Sequence, residues 1–288
     1  MGSECIRLGA LVGVVVSICG CAASTKQRPV ARTAADTVPE DAFVADVLRH
    51  HRHHHFGGTL LLITMSLDTL GLPADEQLRV EKIQSDLIDK MRPASQAERS
   101  VVARLADGVS ASEIDRTQVD AALAELATAS AAMHDASIGE LNRLHDALTP
   151  PERAALVDKL DAHWELWKQA NSGERSQLAT IGQEIGLTAP QMEKVRRELA
   201  ATTSDSPLRK GEVEAHLRNF GKAFQANDFD ARRLLGAASA NRQMAEWGAS
   251  RLVSFCQAVN PVLNDEQRRT LVALLLEHLN HDEGGAKE

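Results

Sequence analysis

The sequence predicts an all-α protein made of two tandem helical units of about four helices each. Three observations lead there. Hydrophobic residues make up 43% of the 288-residue chain, yet aromatics are only 3% and Tyr is absent; strands draw on aromatic and β-branched residues, whereas Ala, Leu, Glu, Arg and Gln are helix formers. Four short segments then match one another: Leu72-Pro-Ala-Asp-Glu76, Leu148-Thr-Pro-Pro-Glu152, Leu187-Thr-Ala-Pro-Gln191 and Leu263-Asn-Asp-Glu-Gln267. Their leading leucines lie 76, 39 and 76 residues apart, so the chain repeats at an offset of 115. Finally, apolar residues between these segments recur at helical spacing.

The N-terminus reads as a targeting segment over residues 1–20. Arg7 precedes an apolar run of 13 residues, Leu8 to Gly20, too short to span a bilayer as a mature helix. It closes on Ile18-Cys19-Gly20-Cys21-Ala22, which resembles a bacterial lipoprotein signal peptide, although Cys19 stands where Ala, Ser or Thr is usual. The resemblance implies lipidation of Cys21 and, with Ala22 rather than Asp after it, a place on the periplasmic face of the outer membrane. An ordinary signal peptide, with Cys21 a bystander, is the alternative. Residues 21–40 are rich in Ala, Thr, Pro and charge without helical period, as in a flexible tether. Residues 41–57 form a His-rich segment in which 41–55 fits a short helix, stopped at Gly57-Gly58. The two units follow at 58–171 and 172–281, with a tail at 282–288.

Each repeated segment reads as a helix start. Thr149, Thr188 and Asn264 are N-cap residues whose side-chain oxygens can accept from unpaired backbone N–H groups. Three positions on, Glu152, Gln191 and Gln267 complete capping boxes. Pro150 suits a first helical position. Leu156, Val195 and Leu271 follow seven residues after each cap, and Leu160, Leu199 and Leu275 four further on, continuing an apolar face. In the first copy Pro73 occupies the cap position and cannot cap, but Val80, Ile83 and Leu87 keep the face.

Long helices are expected between the boxes, on Val119, Leu123, Leu126, Met133, Leu141 and Leu144, and on Leu234, Leu235, Met244, Trp247, Leu252, Phe255 and Val259. Asp115, and Asp228 or Asp230, stand where they should begin. Pro93 and Pro207 are expected to bend or break the second helix of each unit.

Chemistry is sparse. The net charge of −8 argues against nucleic acid, which needs a basic face. There is no His-Glu-x-x-His, Gly-x-Ser-x-Gly, phosphate loop, dinucleotide fingerprint or Glu-x-x-His, so no residue stands out as catalytic and no enzyme is expected. The strongest candidate is His50-His51-Arg52-His53-His54-His55. On a helix His50 would share a face with His54 and His51 with His55, and imidazole pairs suit Ni, Cu, Zn or Co; loose multivalent uptake by a His-rich tract is the alternative. His278 and His281 read as a solvated helix end. His134, His145, His163 and His216 are single histidines without ligand spacing, Cys256 a small core residue, and Trp164, Trp167 and Trp247 core or partner-contacting aromatics.

Paired Leu-Thr-x-x-Gln boxes, the Ile114-Asp115 and Phe229-Asp230 steps and a His-rich stretch before the first box together resemble the Spy/CpxP family of periplasmic proteins, also called the LTxxQ family, across residues 50–281 in two consecutive copies. The resemblance implies helical hairpins that act as ATP-independent chaperones, stress-signalling regulators or metal sensors, the chaperone-type members as cradle-shaped dimers. A single chain with two copies could build such a pseudo-dimer within itself. This chain departs from the pattern in being duplicated, acidic and lipid-anchored. The expectation is a lipid-anchored stress-response protein holding unfolded envelope proteins, or alternatively a metal-binding or heavy-metal-sensing lipoprotein, with no cofactor required beyond a possible divalent transition metal. Residues 72–171 carry 11 Lys/Arg against 18 Asp/Glu, and residues 172–288 carry 15 against 16. A client-binding edge is therefore placed at Arg196, Arg197, Arg232 and Arg233, with a merely solvated helix surface as the alternative.

Overall fold

The computed structural model describes residues 57–172, 181–202 and 210–284. They are helical throughout, and no strand occurs among them. The elements are α1 (Gly58–Asp68), α2 (Ala74–Ser110), α3 (Arg116–Ala147), α4 (Pro150–Ser172), α5 (Ala189–Thr202), α6 (Lys210–Gln225), a 3-10 turn (Ala231–Arg233), α7 (Ala237–Val259), a second 3-10 turn (Asn260–Val262) and α8 (Asp265–Gly284).

Local chemistry sets these boundaries. Asp115 caps α3 by accepting from Gln118 N–H at 3.1 Å, and Asp230 caps the first 3-10 turn by accepting from Arg232 N–H at 3.1 Å. Pro150 is the first residue of α4. Pro73 precedes α2 without a side-chain cap. The boundaries also recur at the offset: α2 and α5 open at 74 and 189, α2 and α6 close at 110 and 225, and α4 and α8 open at 150 and 265. Gly71 and Gly186, one residue before the first and third boxes, both sit at φ +68°, a left-handed turn that glycine enters without steric cost.

Two expectations need correction. Pro93 does not break its helix; α2 runs unbroken from 74 to 110 with Pro93 inside. Proline removes one hydrogen bond there, but Met91 (2% exposed) and Ala94 (0%) bury that stretch, and tertiary burial outweighs one lost bond. In the second copy the long helix does not start at its Asp cap. A 3-10 turn intervenes and α7 opens only after Gly236, held at φ +82°. Pro207 lies outside the described residues.

The packing interleaves the two halves. α2 and α3 form a hairpin, α3 packs on α7, α8 packs on α2, and α1 is wedged among α2, α4 and α7. One core takes α1, Val80–Ala94 of α2, Met133 to Leu148 of α3 and its end, Leu156–Trp167 of α4, Val213–Phe224 of α6, and Ala240 and Met244 of α7. The other takes Val101–Val109 of α2, Val119–Leu126 of α3, Ile185, Met192 and Val195, Ala245–Val259 of α7, and Leu271 and Leu275 of α8. Shifting by 115 trades one set for the other: Val80 and Leu156 of the first core become Val195 and Leu271 of the second, while Val119 and Val109 of the second become Leu234 and Phe224 of the first. Each core is thus built from both halves of the chain.

Candidate functional site

Helix α1 is buried on nearly all sides, polar residues included, so Thr59, Thr64 and Ser66 need partners inside the protein. Thr59 donates from N and Oγ1 to Asn241 Oδ1 at 2.9 and 2.7 Å, with His216 Nε2 at 3.4 Å from the same hydroxyl. Gly58 makes this approach possible, because a Cβ there would stand 2.6 Å from Asn241 Oδ1. Ser66 Oγ donates to Leu62 O at 2.7 Å and meets His163 Nδ1 at 2.8 Å. Gln84 Nε2 bridges Thr64 O at 3.0 Å and Asp68 Oδ1 at 2.6 Å. Burial raises the Asp68 carboxyl, partly offset by the Gln84 bond.

The single histidines belong to this interior. His145 bonds Ala226 O at 2.8 Å and stacks on Phe229 at 5.0 Å. Burial pushes His216 down to about 4, with its Leu235 carbonyl bond opposing and nearby His134 adding to the shift. His134 is also lowered by burial, against Asp135 and the Ala231 carbonyl. These imidazoles are packed into the interior and bonded there. Among the described residues no group of three or more His, Cys, Asp or Glu side chains is placed to hold a metal ion, so the helical body does not fit one. Cys256 is fully buried and its thiol is pushed up to about 12, which makes it inert. Trp164 and Trp167 are core residues stacked at 4.9 Å, with Trp247 packed against them at 5.3 Å from Trp167.

The predicted capping residues sit at their helix starts and form one more structure. Asn264 and Gln267 make a reciprocal box, Gln267 N–H to Asn264 Oδ1 at 2.9 Å and Asn264 N–H to Gln267 Oε1 at 3.1 Å. Thr188 N–H and hydroxyl donate to Gln191 Oε1 at 2.8 and 2.9 Å, while Gln191 N–H reaches Thr188 Oγ1 only at 3.5 Å. Thr149 differs from the expectation: its hydroxyl donates to Glu152 Oε2 at 2.7 Å, as does its N–H at 2.7 Å. A carboxylate three residues on, with acceptors only, turns the hydroxyl into a donor. The boxes of α5 and α8 then join. Gln191 Nε2 donates to Gln267 Oε1 at 2.9 Å and Gln267 Nε2 to Gln191 Oε1 at 3.1 Å. The same amides reach Val262 O at 2.6 Å and Gly186 O at 2.7 Å. Sequence reasoning missed this junction; its signal was a polar residue at the fifth position of all four segments.

The proposed client-binding arginines lie in two places. Arg196 and Arg197 directly follow Val195 of the second core, Arg196 being 3.8 Å from Glu193. Arg232 and Arg233 lie between Ala231 and Leu234 of the first core, paired with Asp230 at 3.0 Å and Asp228 at 3.2 Å. Cys21 and the tract His50, His51, His54 and His55 lie outside the described residues. No helix among the described residues is long and apolar enough to cross a membrane.

Residues 42–165 match a family model described as heavy-metal resistance, a Spy/CpxP-like family. The match runs from the His-rich segment into α4. No curated protein and no solved structure matches the chain.

Proposed function

We propose that this protein serves heavy-metal resistance in the cell envelope by binding a divalent transition metal ion (Ni, Cu, Zn or Co) through His50, His51, His54 and His55. The helical body acts as its carrier, Cys21 supplies a lipid anchor on the periplasmic face of the outer membrane, and no catalysis or further cofactor is involved. The observation that carries this reading is the heavy-metal resistance match over residues 42–165, which spans the tract. Neutral imidazole is a good ligand for these ions, whereas the buried histidines are committed to carbonyls and hydroxyls. The test is calorimetric titration of the full chain in detergent with each ion, beside a variant in which the four histidines are Ala. Stoichiometric uptake that disappears in the variant supports the reading. Equal uptake by both would overturn it.

A second reading, ATP-independent holding of unfolded envelope proteins, has one observation in its favour. Leu235 is 79% exposed, two residues beyond the Arg232–Arg233 pair. An exposed apolar side chain beside cations suits weak capture of partly folded chains. The full chain should then slow aggregation of a denatured model protein, and replacing Arg196, Arg197, Arg232 and Arg233 by Ser should weaken the effect. Unchanged light scattering with several unrelated clients removes this reading.

A further inference from the structure

Two corners of the molecule repeat one joint, in which each half of the chain grips a turn of the other. In the first corner, the end of α3 and the start of α4 grip residues 226–236, which link α6 to α7. Asn142 Oδ1 accepts from Ala231 N–H at 2.8 Å, His145 Nε2 donates to Ala226 O at 2.8 Å, and Arg153 Nη2 donates to Asn227 Oδ1 at 3.3 Å. From α6, His216 Nδ1 meets Leu235 O at 3.5 Å, and from α3 His134 faces the Ala231 carbonyl. A carbonyl oxygen only accepts, so each ring presents an N–H to it. In the second corner, 115 residues on, Gln257 and Arg268 bracket the turn at 111–115. Arg116 Nη1 donates to Gln257 Oε1 at 2.7 Å, and Arg268 Nη1 to Val109 O at 2.6 Å. The corners differ in what can take a proton: the positions matching His134, His145 and His216 are Ala249, Asn260 and Val101.

We propose that residues 226–236 form an acid-released strap, which His134, His145 and His216 clasp to the body and which proton uptake at His134 and His216 sets free, while the turn at 111–115 stays fixed. The strap is weakly anchored otherwise. It contains no α-helix, and of its side chains Ala231 and Leu234 are buried and Phe229 half-buried. Segments with few buried apolar groups open locally before the whole molecule does. Phe229 closes on Phe224 at 5.1 Å and Phe220 at 6.3 Å. Release therefore uncovers two core rings beside Arg232, Arg233 and the exposed Leu235.

The charged groups around the clasp are Asp135 and Asp146 on α3, the latter 3.6 Å from His145 Nδ1, and Arg153 on α4. On the strap itself, Arg232 pairs with Asp230 at 3.0 Å and Arg233 with Asp228 at 3.2 Å. α1 and α7 bring the neutral Thr59 and Asn241 to His216. Burial lowers both rings, against the carbonyls of Leu235 and Ala231, and the neighbouring His134 lowers His216 further. A histidine lowered in the closed state supports closure fully above its ordinary 6.5 and loses that contribution as pH falls toward its lowered value, about 4 for His216. The strap therefore holds at neutral pH and opens in acid.

The test is amide hydrogen exchange of the full chain in detergent between pH 7.5 and 4.5, corrected for intrinsic exchange and read at 226–236 and, as the internal control, at 111–115. Protection of the strap should fall as pH falls, by up to about tenfold per unit for each proton taken up, while the control turn stays flat. Replacing His134 and His216 by Gln keeps an N–H donor for each carbonyl and removes the titration, so the slope should vanish. Asn142→Ala keeps both histidines and removes the Ala231 bond. Strap protection should then drop at every pH, and the His216 ring resonances should titrate closer to 6.5 than in the unaltered chain. A strap as flat as the control turn, a slope that survives H134Q/H216Q, or a His216 titration unmoved in Asn142→Ala overturns the proposal.

Discussion

The two cores share one helical pattern but are filled with different chemistry. The first holds Phe220, Phe224, Trp164 and Trp167, with Phe229 and Trp247 packed against it, and His134, His145, His163 and His216 are buried on the elements that build it. The second is lined by Val, Ala, Leu and Cys256, with Phe255 its aromatic residue. Where the first core has Phe224, the second has Val109, and where the first has Leu141, the second has Cys256. Positions 115 residues apart thus stay buried while their side chains differ, because burial demands only apolar volume at each site. The large, polar-bearing core should be the more sensitive to truncation and to acid.

Truncation should give the largest difference. Phe224 is 0% exposed and ringed by Phe220, Phe229 and His145. Phe224→Ala should cost about 3–5 kcal/mol in urea unfolding. Val109→Ala, at the matching and equally buried site, should cost about 1.5–3 kcal/mol. Equal losses would break the comparison.

Acid should come next. His216 titrates near 4 when folded, against 6.5 for a free imidazole. Above 6.5 neither state is charged; as pH falls toward 4 the unfolded chain takes the proton first and stability drops. The loss should reach on the order of 3 kcal/mol, and His134 adds to it in the same direction. Urea midpoints at pH 4.5 and 7 measure the loss, and hydrogen exchange should place it in α1 and α6 rather than in α8. A loss confined to α8 would show that the buried histidines are not its source.

The caps should give the smallest effects. Asn264 accepts the Gln267 N–H at 2.9 Å, so Asn264→Ala should cost about 1 kcal/mol. The Thr149 hydroxyl only donates to Glu152, so Thr149→Ala should fall at the low end, about 0.5 kcal/mol. Thermal melts in which Thr149→Ala is the more damaging would contradict the different roles seen for these two side chains.

Much of this fold was legible in the sequence because its signals are local. The caps at Asp115, Thr188 and Asn264, the helix start at Pro150 and the offset of 115 all follow from residues within a turn of one another. At Pro93, where a bend or break was expected, the helix is not broken because neighbours from other helices bury that stretch, and sequence proximity does not report them. The polar seam of Thr59, Asn241 and His216 was hidden for the same reason: residues 59 and 241 meet only in the folded chain. The amide junction lay in between. Its four positions were visible as boxes, but their pairing across helices needed the structure. The proposed metal role of His50, His51, His54 and His55 rests on residue type and the family match, since these histidines lie outside the described residues.

The central structural claim is that neither half encloses a core of its own, since each core draws side chains from both. The most direct measurement is circular dichroism and sedimentation of residues 58–172 alone beside the full chain. The half should be largely unfolded as a monomer and become helical and cooperative only as it self-associates, with a melting temperature that rises with concentration. A half that folds as a monomer, with a sharp, concentration-independent transition near that of the whole chain, would contradict the account.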